Sequence, residues 1–256
     1  MRTSAVAAAV AGALSVFAVP GAAQADEHEG DIRILKVVIN EGHDIALGTT
    51  EAKKFTLQVT AGDDSGIKED FTVPSLWNGS KGLVLPDDPT GDCVPRADTP
   101  TISTCTYRMT LRPRIDPQDN TTAGVWKANV AVSGNDGDYA GMDAAATVKV
   151  RRYAKMTVNA SPEPVKKGRT LTVTGSLTRA NWETYKYAGY TGQSVKLQFR
   201  KKGAAAYTTV KTVTTGSSGA LKTTVKAGTD GYWRWSFAGT STTHPVTTTA
   251  DYVDVR

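Results

Sequence analysis

Apolar and polar residues alternate singly along much of this chain. Phe55, Leu57 and Val59 are separated by Thr56 and Gln58, with Thr60 next. Val195, Leu197 and Phe199 are separated by Lys196 and Gln198, with Arg200 next. Leu221, Thr223 and Val225 alternate with Lys222, Thr224 and Lys226. A strand turns successive side chains to opposite faces, so a period of two buries one face of a sheet and wets the other. Clusters of Gly, Asn and Asp break the runs, among them Gly62-Asp63-Asp64-Ser65-Gly66, Asn135-Asp136-Gly137-Asp138 and Thr229-Asp230-Gly231. Such residues tolerate positive φ and bond their own backbone, as tight turns require. From residue 26 onward no stretch of helical length keeps a 3.6 period. Short strands punctuated by turns predict an all-β protein made of antiparallel β-sandwiches.

The pattern also repeats on a larger scale. Gly124-Val125-Trp126-Lys127 matches Gly231-Tyr232-Trp233-Arg234, and Val148-Lys149-Val150 matches Val253-Asp254-Val255. Phe55-Thr56-Leu57 matches Leu171-Thr172-Val173 in the same order. Offsets of roughly 105 to 116 residues imply two tandem copies of one topology that differ in loop length. The expected division is 26–152 and 153–256, with a join too short to give linker freedom. Trp126 and Trp233 are expected at equivalent core positions, each packed between two sheets. Residues 1–25 read as an export signal. Arg2 precedes a run of small apolar residues over 5–19, and Ala23-Gln24-Ala25 supplies a small-residue cleavage site before Asp26. The run is too short to span a bilayer, and no later segment is long and apolar enough to do so.

Export changes the reading of the cysteines. The chain has 256 residues with only 2 Cys and 3 His. Cys93 and Cys105 enclose a short Pro-containing loop, and in an oxidising compartment they are expected to form a disulfide. Closing a loop of this size contributes roughly 3 kcal/mol in the chain-entropy account. Charge divides the two halves. Residues 26–152 carry 14 Lys and Arg against 20 Asp and Glu, a net of −6. Residues 153–256 carry 15 against 5, a net of +10, so the chain-wide +5 hides a strong asymmetry.

Residues in the second half resemble bacterial immunoglobulin-like modules. The segments are Ala160-Ser161-Pro162, Gly168-Arg169-Thr170-Leu171-Thr172-Val173-Thr174-Gly175, Gly192-Gln193-Ser194-Val195-Lys196-Leu197-Gln198-Phe199-Arg200 and Gly231-Tyr232-Trp233-Arg234-Trp235-Ser236-Phe237-Ala238-Gly239. More closely they resemble secreted actinobacterial proteins with tandem modules of this kind, a group loosely labelled calcium-binding. An Ala-, Gly- and Thr-rich usage agrees with a high-GC bacterial source. The resemblance implies an immunoglobulin-like fold, a secreted or cell-wall-associated location and a non-enzymatic role, with no catalytic residues. The calcium label attaches to no motif in this sequence.

Three groups of residues are candidates for chemistry. Lys196, Arg200, Lys222 and Lys226 fall on the polar faces of their strands, and Lys201, Lys202 and Lys211 cluster at the adjoining turn and strand. A basic sheet attracts polyanions such as wall teichoic acid or acidic polysaccharide; the competing reading is a solvated, solubilising face. Nothing resembles base readout, so no specific nucleic-acid partner is expected. Trp182, Tyr185 and Tyr187 lie in an aromatic stretch that either stacks on sugar rings or closes a sandwich. Asp63, Asp64, Asp136 and Asp138 offer turn carboxylates for calcium, but without EF-hand spacing, and Asx turns account for them equally. His28, His43 and His244 are far apart with no metal-ligand spacing and no nucleophile signature, so no enzyme and no cofactor are expected.

Overall fold

The computed structural model of the protein describes residues 27–69 and 73–256; the export signal assigned to 1–25 lies outside them. The strands are β1 (Glu27–Glu29), β2 (Arg33–Ile39), β3 (Ile45–Leu47), β4 (Lys53–Gly62), β5 (Ser75–Trp77), β6 (Leu83–Val84), β7 (Asp92–Pro95), β8 (Ile102–Leu111), β9 (Gly124–Ser133) and β10 (Tyr139–Arg152). They continue as β11 (Ala154–Ser161), β12 (Thr170–Asn181), β13 (Lys186–Gly189), β14 (Ser194–Lys201), β15 (Thr208–Thr214), β16 (Ala220–Lys226), β17 (Gly231–Phe237), β18 (Val246–Thr247) and β19 (Asp251–Val253). Each alternating run named above is a strand. In β4 the buried set is Phe55, Leu57, Val59 and Ala61, and in β17 it is Trp233, Trp235 and Phe237.

In the first sandwich, β2-β4-β8-β7 packs against β1-β10-β9-β5-β6. The pairings are antiparallel except β3, which runs parallel to β10. In the second, β12 lies between β11 on one side and β13 and β16 on the other; the facing sheet is β15-β14-β17, with β18 and β19 on β17. Both halves thus place the first, second and fifth principal strands in one sheet and the third, sixth and seventh in the other, which is the immunoglobulin-like order. Trp126 is the third residue of β9 and Trp233 the third of β17, and these are the sixth strands of the two sandwiches. Trp126 is fully buried, with its indole N–H donating to the Thr122 carbonyl at 2.8 Å. Trp233 packs on Phe199, with ring centroids 4.6 Å apart. Cys93 and Cys105 form a disulfide between directly opposed residues of β7 and β8, so it staples one sheet rather than joining the two.

The two cores meet through one hairpin. Ala180 near the end of β12 and Trp182 just beyond it belong to the second sandwich, yet both pack into the hydrophobic core of the first. Trp182 is fully buried and its indole N–H donates to the Gly48 carbonyl at 3.0 Å. Its backbone N–H donates to Asn120 Oδ1 at 3.0 Å, and Asn120 Nδ2 donates to Asn181 Oδ1 at 2.9 Å. On the chain itself only Tyr153 separates β10 from β11, and its N–H donates to the Leu47 carbonyl at 2.8 Å. Buried Arg152 gives its Nε–H to the Ala180 carbonyl, and desolvation, with nearby Arg179, brings its guanidinium down to about 10. The turn holding Asn120 is capped by Asp119, whose Oδ1 accepts the Thr121 N–H at 2.8 Å while Oδ2 meets Lys81 Nζ at 2.6 Å. The Lys81 ammonium chiefly, with Thr121, holds the Asp119 carboxyl down at about 2.

Two expectations follow. Trp126→Ala should cost roughly 3–5 kcal/mol in chemical denaturation, as should Trp182→Ala, because each leaves a large dry cavity. Surface placement of either indole would leave the midpoint unchanged instead. Asp119 titrates lower when folded than the roughly 4 of an unfolded aspartate, so its contribution is full above that value and fades as pH falls toward 2. The stability gap between the protein and Asp119→Asn, followed through acid titration, should therefore be constant at neutral pH and close near pH 2.

Candidate functional site

The outward face of the β15-β14-β17 sheet carries a ladder of cations on tyrosine rings. Register places the members side by side: Gln198 opposite Arg234, Arg200 opposite Tyr232, and Tyr232 in turn opposite Tyr252 on β19. Opposed residues on one face of an antiparallel pair are in contact range. The Arg234 guanidinium lies 3.6 Å from the Tyr207 ring centroid, and its Nε–H donates to Gln198 Oε1 at 2.8 Å. Arg200 lies 4.3 Å from the Tyr232 centroid and 5.2 Å from that of Tyr207, and gives Nη1–H to the Ala204 carbonyl at 2.9 Å. Tyr232 and Tyr252 are 5.1 Å apart, with the Lys202 ammonium 5.6 Å from the Tyr252 centroid. Asp230 anchors that end, accepting the Tyr252 hydroxyl at 3.3 Å and pairing with Lys202 at 3.7 Å. The Val255 backbone N–H above all keeps the Asp230 carboxyl below its ordinary value.

The ladder is built by alternation. In β17, Trp233 and Trp235 point inward and are buried, so Tyr232, Arg234 and Ser236 must point out. In β14, Val195 and Leu197 point inward, leaving Lys196, Gln198 and Arg200 outside. Among the described residues, no salt bridge pairs Arg200 or Arg234 with a carboxylate. Their charge is set against ring faces instead, which hold the guanidinium planes in place and leave N–H groups for an incoming anion. Lys196 and Lys201, both exposed, lie on either side of Arg200 along β14.

The sequence places its basic candidates on strands but not on sheets, and here the structure corrects it. Lys196, Arg200, Lys201 and Lys202 gather around the ladder, and exposed Lys211 lies on the edge strand β15 beside β14. Lys222 and Lys226 do point outward, but from β16, which pairs with β12 in the opposite sheet. The seven therefore do not form one basic face. Their strands have the same local pattern, and only the crossover from β15 to β16 separates them. Tyr207, Tyr232, Arg234, Tyr252 and Gln198 are the residues that sequence reasoning missed. The outward parity of Tyr232 and Arg234 was readable; their neighbours across the sheet were not.

The aromatic stretch is corrected too. Trp182 is wholly buried at the junction, so it offers no face to a sugar. Tyr187 is half-buried against the first core beneath the Lys155 ammonium, 4.0 Å from its centroid. Tyr185 is 39% exposed but stands alone, with the Arg114 guanidinium 4.5 Å above its ring. No coplanar aromatic strip arises from these three. The acidic candidates Asp63, Asp64, Asp136 and Asp138 converge with Asp31, which lies far from them along the chain. The negative charge of Asp31 foremost raises the Asp64 carboxyl above its ordinary value.

No protein-family model and no curated protein matches the sequence. Among solved structures it is similar to dimeric latent PorU from Porphyromonas gingivalis, with 13% identity and a TM-score of 0.30. That match covers 88% of this chain but only 20% of PorU. It is also similar to the D00-D0 domain of Intimin, at 15% identity over 85% of this chain and 99% of that one, with a TM-score of 0.29. The mouse nectin-like molecule 4 ectodomain follows, at 12% identity over 86% of this chain and 64% of that one, TM-score 0.26. Likeness at this level says nothing of what the chain binds; the immunoglobulin-like assignment rests on the strand order.

Proposed function

We propose that the protein is an exported, non-enzymatic binding module that holds an anionic envelope or extracellular polymer on the outward face of β14, β15 and β17. The observation that supports this reading is the pair Arg200 and Arg234, set over the Tyr232 and Tyr207 rings at 4.3 and 3.6 Å from their centroids and, among the described residues, in no salt bridge. A guanidinium fixed in this way loses little side-chain freedom on binding and presents a planar edge suited to phosphate or carboxylate groups. The tyrosine rings add apolar area for the sugar or polyol between the anionic groups. The net +10 of residues 153–256 supplies the long-range attraction that brings a polyanion to the face. Teichoic acids and acidic polysaccharides combine both features, a repeated anion and a polyol or sugar backbone.

Retention on immobilised teichoic acid and on neutral glucan, across a salt series, tests this reading. Binding to the anionic matrix should be strong at low salt and fall steeply toward physiological ionic strength, where the screening length is about 8 Å. Replacing Arg200 and Arg234 together with Gln should weaken it by about two orders of magnitude at low salt, two charge-assisted contacts being lost. Replacing Lys222 and Lys226 with Gln removes the same charge from the opposite sheet and should weaken it far less. Equal losses from the two pairs would mean that only net charge matters. Salt-insensitive retention on the neutral glucan would overturn the proposal.

A further inference from the structure

Three loops of the first sandwich bring five carboxylates together. Asp31 lies between β1 and β2, Asp63 and Asp64 follow β4, and Asp136 and Asp138 sit in the turn between β9 and β10. Carboxylate oxygens of Asp31, Asp63 and Asp64 lie within 4.8 Å of one another, and so do those of Asp63, Asp136 and Asp138. Asp63 is common to both sets and is only 4% exposed. Its Oδ1 accepts the Ser65 N–H and hydroxyl. Its Oδ2 is buried and accepts no hydrogen bond. An ionised oxygen removed from water without a donor is costly, and nearby carboxylates make it more so. No salt bridge between described residues involves any of the five.

The backbone is shaped to admit these groups. A Cβ on Gly134 would stand 2.6 Å from Asp63 Oδ2, and a Cβ on Gly30, at φ +83°, would stand 1.6 Å from Asp138 Oδ2. Glycine at both positions lets the carboxylates approach the chain. The loops are also tied to one another: the Asp31 N–H donates to Asp138 Oδ2 at 2.6 Å and the Asp136 N–H to Ser65 Oγ at 3.1 Å. Cross-tied loops hold the negative charges together against their repulsion.

We propose that this cluster is a calcium site centred on Asp63, with Asp31 and Asp64 on one side and Asp136 and Asp138 on the other. Asp63 Oδ2 is the oxygen whose missing partner a cation supplies. The donor set is all oxygen, which selects a hard cation over zinc or copper. Calcium accepts six to eight oxygens in flexible arrangements, so carboxylates from three separate loops suit it, with water or carbonyl oxygens completing the shell. Magnesium demands a tight octahedron and gives up its water reluctantly, so it fits this dispersed set less well. Bound calcium would cross-link the entry of the chain at β1 to the β4 and β9–β10 loops.

Calorimetric titration and thermal melting of the purified protein, stripped with chelator and returned to CaCl2, test the assignment. Calcium in the low millimolar range should release or absorb binding heat and raise the melting temperature by several degrees, as any ligand of the folded state does. Magnesium should give a smaller rise, and sodium chloride at matched ionic strength little. Asp63→Asn should abolish the calcium shift. Should that buried variant fail to fold, exposed Asp64→Asn keeps the test open, with affinity expected to fall at least about tenfold for one lost charged ligand. In chelator both variants should melt at or above the parent, since repulsion is relieved; an Asx-turn role alone predicts no such reversal of sign. Absence of heat and shift in the parent, or a shift that survives Asp64→Asn undiminished, would overturn the site.

Discussion

Trp182 sets the relation between the two sandwiches. It leaves the end of β12 in one sandwich and is buried in the core of the other, with its backbone and indole N–H both satisfied there. A large indole removed from water contributes on the order of 2–3 kcal/mol. Separating the sandwiches would expose it and leave the Asn120 side chain and the Leu47 and Gly48 carbonyls to find other partners. With only Tyr153 between β10 and β11, the chain has no slack with which to swing away. The join therefore behaves as a packed interface rather than a linker.

This constraint gives the charge asymmetry a geometry. Strand β10 begins beside the acidic loops at Tyr139 and ends at Arg152 in the junction. β10 is bulged between Met142 and Ala146, and from Tyr139 to Val150 it runs beside only nine residue steps of β9 (Ser133 to Gly124), so at about 3.3 Å per residue the acidic end lies roughly 30 Å from the junction end of the strand. That is several screening lengths at physiological salt, so the acidic tip does not cancel the field at the Tyr–Arg ladder. A single protein thus carries an acidic tip and a cationic face at a distance from each other, and packing at Trp182 keeps them apart.

Much of the fold was legible in the chain. Side-chain parity is a local property, so the strands around Leu57, Leu197, Leu221 and Trp233 could be read directly, as could the paired Gly-x-Trp motif. Sheet membership is not local: β14 and β16 look alike in sequence, and the crossover alone puts Lys196 and Lys222 on opposite sides. The ladder is not legible in the chain because Tyr207, Arg234, Tyr232 and Tyr252 come from two strands and a loop that meet, beside Arg200 of a third strand, only in the folded register. Trp182 was ambiguous for a related reason, since an aromatic beside polar residues has the same pattern whether it faces water or a neighbouring domain. Asp31 stood alone in sequence and acquires its companions only when the three loops converge.

The most direct measurement is a residue-resolved one: backbone amide chemical shifts of the protein followed by NMR during titration with soluble teichoic acid. Perturbations should concentrate on β14, β15 and β17, on Tyr252, and on the turn bearing Lys201 and Lys202, and should recede as salt is added. Perturbations centred on the outer face of β12 and β16, or around Tyr185, would contradict the assignment of the Tyr–Arg ladder as the binding face.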